Sequence, residues 1–330
     1  MIIKIIQVII YQNLRLYWYR ILNMVRLLIL LLIILVGVAF LTLLERKILR
    51  YIQIRKGPNK LGYIGLLQPF SDAIKLLNKE LFYVYKSNYN IFYLCPMVSF
   101  IIILIIWLVF PYITNIYFLN YSVLLMVIFI TIGGYLVIFI GWSANSIYSI
   151  IGSIRSVSQI LSYEVRFILI ILVVILIRER YSLMDFINYQ FYLWYLVILY
   201  PLFVLFFIRI LAELNRSPID FIEGESELVS GFNIEYFSGG FTLIFLSEYG
   251  IIIFFRLIRI YIFRNLLDHS LIIIFILINI LCRIVIFIRG ILPRIRYDEL
   301  IYLCWKIILP IILIYLILVF GFKYLLIIIL

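Results

Sequence analysis

Residues 211–240 read LAELNRSPIDFIEGESELVSGFNIEYFSGG and hold Glu213, Asp220, Glu223, Glu225, Glu227 and Glu235, six of the sixteen acidic residues in the chain. Runs of apolar sequence long enough to cross a bilayer flank this stretch on both sides, at 191–211 and 241–263. Carboxylates this close repel one another, and burial further disfavours their charged form. Ionisable groups beside lipid are costly and are functional candidates for that reason. The same stretch also reads as a solvated acidic loop between two helices. Glu223, Glu225 and Glu227 alternate, so an extended backbone sets them on one side. They would then form either a proton-handling cluster or a rim of charges for a partner.

Working outward, composition sets the class. The chain has 330 residues, 67% of them hydrophobic and only 13% charged, with mean hydropathy +1.21. Soluble domains carry about a quarter charged residues, so an all-α polytopic membrane protein is expected. The formal net charge of +12 then belongs to flanks and loops, where it sets orientation rather than binding nucleic acid. Cys95, Cys282 and Cys304 are far apart and the only histidine is His269. That pattern suggests no zinc, iron–sulfur or bis-histidine haem site within this chain. The apolar positions are filled by Ile, Leu, Phe and Tyr, a bias that fits an AT-rich organelle genome.

About eight transmembrane helices are expected, near 27–44, 91–110, 123–140, 160–177, 191–211, 241–263, 271–288 and 307–320. Residues 24–330 then make a single membrane domain. Residues 1–23 mix Ile with Lys4, Arg15 and Arg20 and form an extension with no cleavage signal, readable as an interfacial segment. Between the first two spans, Leu66, Leu67, Phe70, Ile74 and Leu77 recur at helical spacing with Asp72, Lys75 and Lys79 between them. This is the pattern of an amphipathic helix on the membrane surface. Asn145, Arg155, Ser156, Ser158 and Gln159 are expected in a loop before the fourth span.

With eight spans, the loops after spans one, three, five and seven share a face. Two of these are strongly basic, 46–86 and 289–296, which orients that face toward the cytoplasm or the mitochondrial matrix. Arg178, Arg180, Arg256, Arg259 and Arg264 fall to the other side and blur the rule. Glu45, Arg46, Arg55, Glu164, Glu213 and Arg289 all lie at or near the basic face. Carboxyls at span ends can take up and release protons, which is what a relay needs. Glu213 also stands one helical turn from Arg209, where a static ion pair would form.

Five blocks carry a resemblance: FLTLLERKILRYIQIRKGPNKLGYIGLLQPFSDAIKLLNKE, GWSANSIYSIIGSIRSVSQILSYEV, LAELNRSPIDFIEGESELVSGFNIEYFSGGF, FLSEY and IRGILPRIRYDELIYLCWK. In this order and spacing, from Phe40 to Lys306, the chain resembles the mitochondrially encoded membrane subunit at the base of the peripheral arm of respiratory NADH:ubiquinone oxidoreductase, complex I. The resemblance implies a subunit of the mitochondrial inner membrane that binds no cofactor alone. Ubiquinone is its substrate, and FMN and iron–sulfur clusters lie in partner subunits. It implies a quinone tunnel lined or flanked by Glu45, Arg46, Arg55, Arg216, Phe245 and Arg289, closed by peripheral-arm iron–sulfur subunits. The surface helix would border the tunnel's lipid entrance. It also implies an acidic path through Glu164, Glu213, Asp220, Glu223, Glu225, Glu227 and Glu248 toward antiporter-like membrane subunits. Arg209 stands where a small polar residue is expected, Arg166 follows Glu164 by two residues, and residues 1–23 have no counterpart. The competing readings are an ion-coupled transporter, disfavoured by the lack of a visible repeat, and a membrane anchor of a hydrogenase-type complex.

Overall fold

The computed structural model describes residues 2–80, 84–110, 119–190, 194–213, 218–219, 231–263 and 271–329, with backbone alone at 2–20, 187, 213, 232, 271–275, 326 and 329. The helices in chain order are α1 (Ile2–Ile52), α2 (Gln68–Leu77), α3 (Tyr89–Ile106), α4 (Ser122–Ala144), α5 (Ile147–Arg178) and α6 (Leu183–Asn188). They continue as α7 (Tyr195–Ile198), α8 (Tyr200–Glu213), α9 (Ser238–Phe263), α10 (Leu271–Ile291), α11 (Tyr297–Tyr302) and α12 (Leu309–Ile329). No strand occurs among the described residues. The chain is an all-α polytopic membrane protein, because a spanning chain must satisfy its backbone groups internally and a helix does so.

Helices fall on each of the eight expected spans. Among the described residues, Ile21–Ile52, Tyr89–Val109, Ser122–Ala144, Ile147–Arg178, Ser238–Phe263 and Tyr297–Leu325 are long and apolar enough to cross a bilayer, while Tyr200–Ala212 is shorter. The fifth expected span is interrupted because Leu199 leaves helical geometry (φ −111°, ψ 37°) and α8 restarts at Tyr200-Pro201. Proline suits a first helical turn, where its missing N–H is not needed.

The expected loop before the fourth span is instead helix. Asn145 adopts a left-handed C-cap (φ 51°), and Ser146 and Ser149 cap each other's backbone N–H to start α5 at Ile147. Loop-like polarity there comes from serines that bond inward. Ser149 Oγ donates to Gly141 O at 3.0 Å, and Ser153 and Ser156 donate to carbonyls three residues back. Small residues on this face let α4 and α5 approach closely. The residues that look like a loop in sequence are therefore an interhelical contact.

Two hydrogen-bonded ends show the alternation of the bundle. At one end Asn88 N–H donates to Ser143 O, Gln159 Nε2 to Ala212 O and Ile295 N–H to Pro218 O, and the Ser158 and Tyr297 hydroxyls pair at 2.6 Å. At the other end Val123 N–H donates to Tyr181 O, Gln190 Nε2 to Ile262 O, and Lys323 holds Leu176 O and the Glu179 carboxylate. Between them lies an apolar core rich in Phe167, Phe206, Phe254, Phe255 and Phe263.

Four arginines are buried in that core. Arg166 donates to Ser162 O at 2.8 Å and lies 4.1 Å from the Tyr163 ring centroid. Arg209 lies 3.3 Å from that of Phe167, Arg256 donates to Cys282 Sγ, and Arg259 lies over Phe203 and Phe207. Arg256 and Arg259 thus sit inside α9 rather than in a connection on the far side. This explains why they blur the loop-charge rule. Cation–π contacts of this sort are worth about 0.5–2 kcal/mol each when desolvated.

Candidate functional site

Two clusters form, one toward the end of the bundle where α1 and α10 finish and α9 begins, the other deeper between the helices. The first gathers on Glu45, the last acidic side chain of α1, which is only 8% exposed. Tyr249 Oη, on α9, donates to Glu45 Oε2 at 2.7 Å, and Arg289, near the end of α10, makes an ion pair with Glu45 Oε1. Phe245 lies one turn before Tyr249 on the same face of α9, its ring 4.3 Å from Phe241 and 6.4 Å from Tyr249. Of the residues expected at the tunnel, Glu45 and Arg289 are thus in direct contact, and Phe245 stands one turn from their partner Tyr249. Arg46 points elsewhere and pairs with Asp72 on α2. Arg55 is exposed and stands apart from the cluster.

Along α1, α9 and α10 runs an apolar groove of about 520 Å³ walled by Gly37, Phe40, Leu44, Ile253, Leu257 and Ile278. Beside it the surface helix α2 forms as expected, starting with Pro69 in its first turn. Leu66, Leu67, Ile74 and Leu77 are all exposed there, an apolar face that only lipid or a partner would cover.

The second cluster surrounds a cavity of about 90 Å³ between α3, α4, α5 and α9, lined by Ser99, Gly133, Gly134, Ile160, Ser247 and Glu248 among others. Its space is enough for a few waters. Glu164 stands at the same wall. A Cβ on Gly134 would meet Ile160 Cγ2 at 3.0 Å and Glu164 Oε1 at 3.4 Å, so the absence of a side chain at Gly134 makes room for the carboxylate. Glu164 Oε1 is buried without a hydrogen-bond partner among the described residues, and the charge of Arg209 acts on this carboxyl. Glu248 thus lines a small cavity in an apolar bundle, and Glu164, 84 positions away in sequence, lies next to one of its walls at Gly134.

Glu213 closes α8; its side chain, together with Arg216, Asp220, Glu223, Glu225 and Glu227, lies outside the described residues. The chain re-emerges at Gly231 and is anchored by Tyr236, whose hydroxyl pairs with Ser143 Oγ at 3.1 Å and donates to Ile140 O at 3.2 Å, its ring stacked on Phe92 at 4.1 Å. Burial pushes the Tyr236 hydroxyl above its ordinary pKa, so it stays a donor at neutral pH. Sequence reading missed Tyr249, Tyr236, Ser143 and Asp72 as partners. Tyr249 was findable, since it follows Glu248 and lies four residues after Phe245. The other three depend on contacts across more than twenty residues. Among the described residues no group of His, Cys, Asp and Glu could hold a metal ion.

The described residues thus form an all-helical, polytopic membrane bundle with a small internal cavity and a tyrosine–carboxylate–arginine cluster beside an apolar groove. The sequence profile of the NADH dehydrogenase family matches residues 25–320. The chain is 49% identical over 302 residues to NADH-ubiquinone oxidoreductase chain 1 of Aedes aegypti, covering 92% of this chain and 96% of that protein. It is 48% identical over 296 residues to the protein of the same name from Anopheles gambiae, covering 90% and 94%. Against that of Apis mellifera ligustica it is 45% identical over 300 residues, covering 91% and 97%. The chain belongs to the NADH dehydrogenase family.

Proposed function

We propose that this chain is a membrane subunit of proton-pumping NADH:ubiquinone oxidoreductase in the mitochondrial inner membrane, with residues 24–330 as its membrane domain. Its partners are the peripheral-arm iron–sulfur subunits and the antiporter-like membrane subunits. FMN and the iron–sulfur clusters belong to those partners, and the electrons that reduce ubiquinone come from them. The similarity to named oxidoreductase subunits over almost the whole chain supports this assignment.

Within that assembly the chain supplies two things. The apolar groove along α1 and α9 suits an isoprenoid tail, since such a tail needs an apolar passage open to the membrane. Glu45, Tyr249 and Arg289 put a polar, hydrogen-bonded spot at its inner end. Arg216 and Arg55 fall in the connections that the peripheral arm would cover. From the passage, Glu213, Asp220, Glu223, Glu225 and Glu227 carry protonation changes toward Glu164 and Glu248. The observation that supports the relay reading is Glu248 on an internal cavity with the Glu164 carboxylate next to its Gly134 wall. The buried Oε1 of Glu164 has no hydrogen-bond partner among the described residues, which fits a group kept free to exchange a proton, since buried polar atoms are normally bonded.

Substitution of Glu248 or Glu213 by Gln tests this. Glutamine keeps shape and hydrogen bonding but cannot exchange a proton. The expected result is assembled complex with proton pumping lost and quinone reduction slowed by about tenfold or more. Normal pumping in fully assembled Glu248→Gln complexes would sink the relay.

A further inference from the structure

The surface helix α2 is tied down at three points, and its ties run to two different spans. Lys47 Nζ, on α1, donates to Ile64 O at 2.6 Å just before α2 begins. Arg46, also on α1, makes an ion pair with Asp72 in the middle of α2, and Gln68 Nε2 holds the other Asp72 oxygen at 2.8 Å. At the far end Ser238, the first residue of α9, points its hydroxyl at Leu76 O (3.1 Å) and Lys79 O (2.7 Å). These are carbonyls at the C-terminus of α2 and just beyond; Leu76 O also accepts from the Lys79 N–H at 3.4 Å. Ser238 is 5% exposed and adopts φ 49°, a left-handed conformation uncommon for a residue with a Cβ. Its backbone is held in an unfavourable region while its hydroxyl serves α2.

The helices joined in this way are two of those that wall the groove. Arg46 adjoins Glu45 on α1, and α9 carries Phe245 and Tyr249. Phe40 of α1 meets Phe70 of α2 edge-on at 6.0 Å, and Gly37 faces Ile253 of α9 at the limit of contact. We propose that α2 is a strap that sets the separation of α1 and α9, and that Asp72 and Ser238 are positioning residues which determine how well the passage grips a long apolar tail. This rests on the reading of the groove as a quinone passage. Arg46 then acts as the α1 anchor of the strap rather than as a wall of the tunnel.

The test uses the assembled complex in its membrane, with Asp72→Asn and Ser238→Gly. Asparagine removes the charge but keeps an acceptor for Gln68, and glycine removes the hydroxyl while relieving the left-handed backbone. KM and kcat are measured with a short-tailed and a long-tailed ubiquinone. The expected result is a KM for the long-tailed quinone raised roughly two- to tenfold, the range one net hydrogen bond carries, with kcat kept and the short-tailed quinone unaffected. Equal changes for both quinones, no change for either, or loss of assembled complex in Ser238→Gly would overturn the strap. Glu45→Gln separates the two levels. If it impairs both quinones while the strap variants leave their KM ratio unchanged, the strap alone fails. If it leaves both untouched, the passage reading fails and the strap with it.

Discussion

Glu45 shows how a single residue couples the sequence to the site. A carboxylate at 8% exposure needs compensation, and it has two partners of different kinds, the Tyr249 hydroxyl and the Arg289 guanidinium. Removing one partner of a buried pair strands the other, at a cost of about 3–5 kcal/mol, whereas losing a neutral hydrogen bond costs about 1 kcal/mol. Tyr249→Phe is therefore expected to keep the complex assembled and lower kcat/KM for quinone reduction by about fivefold. Arg289→Leu is expected to deplete assembled complex as well, because an unpaired carboxylate remains among apolar side chains. Activity and complex content measured in the same membranes distinguish the two. Equal loss of assembly in both would contradict this ranking. Glu45 and Arg289 were legible from the motif-bearing blocks. Their pairing was not, since 244 positions separate them.

At the scale of elements, the contact of α4 with α5 depends on the absence of a side chain at Gly141. A Cβ there would lie 2.6 Å from Ser153 Oγ and 2.9 Å from Ser149 O, and the latter is backbone that cannot turn away. Gly141→Ala is expected to destabilise the bundle by about 1–3 kcal/mol, read as a lower thermal midpoint of the detergent-solubilised complex. At the opposite end, Lys323 ties α12 to the end of α5 through Glu179. The hydrogen bond and charge of Lys323 hold the Glu179 carboxyl below its usual pKa. A depressed carboxylate pKa gives stability present above the unfolded value and lost as pH falls through the folded one. The tie is thus complete at neutral pH and is released only as the pH falls below the ordinary glutamate range. Hydrogen exchange at the end of α12 should quicken over that acid range in the native chain and show no such step in Glu179→Gln. The heptad-like pattern of α2 and the apolar runs of α3, α4 and α9 were readable because periodicity and length suffice. The helical start of α5 was not, because inward-bonding serines look like loop residues.

For the molecule as a whole, the Arg289–Glu45 ion pair brings the end of α10 to that of α1, and the bond from Ile295 N–H to Pro218 O brings the segment after α10 to the segment after α8. The proposed orientation sets this end on the matrix side. Labelling of single cysteines in oriented vesicles should then find Lys56 and Arg294 positions reactive from one face and the Arg180 position from the other. Reaction of all three from the same face would refute the arrangement. The two candidate clusters meet on α9, which carries Tyr249 of the Glu45 cluster and Glu248 of the internal cavity. Tyr249 directly follows Glu248 on that helix.

Sequence alone determined the class of this protein, because 67% hydrophobic residues leave no soluble solution and apolar runs of bilayer length fold as helices wherever they occur. It also located the ionisable residues worth examining, since charge is scarce and each occurrence in or beside a span is costly. Tertiary structure decided which of them meet. Glu164 comes up to the cavity that Glu248 lines because Gly134 leaves space there, Arg46 turns to Asp72, and Arg166, Arg209 and Arg259 settle on aromatic rings. Such choices depend on helix rotation and crossing, which close packing between distant segments fixes and which no local pattern in the chain encodes.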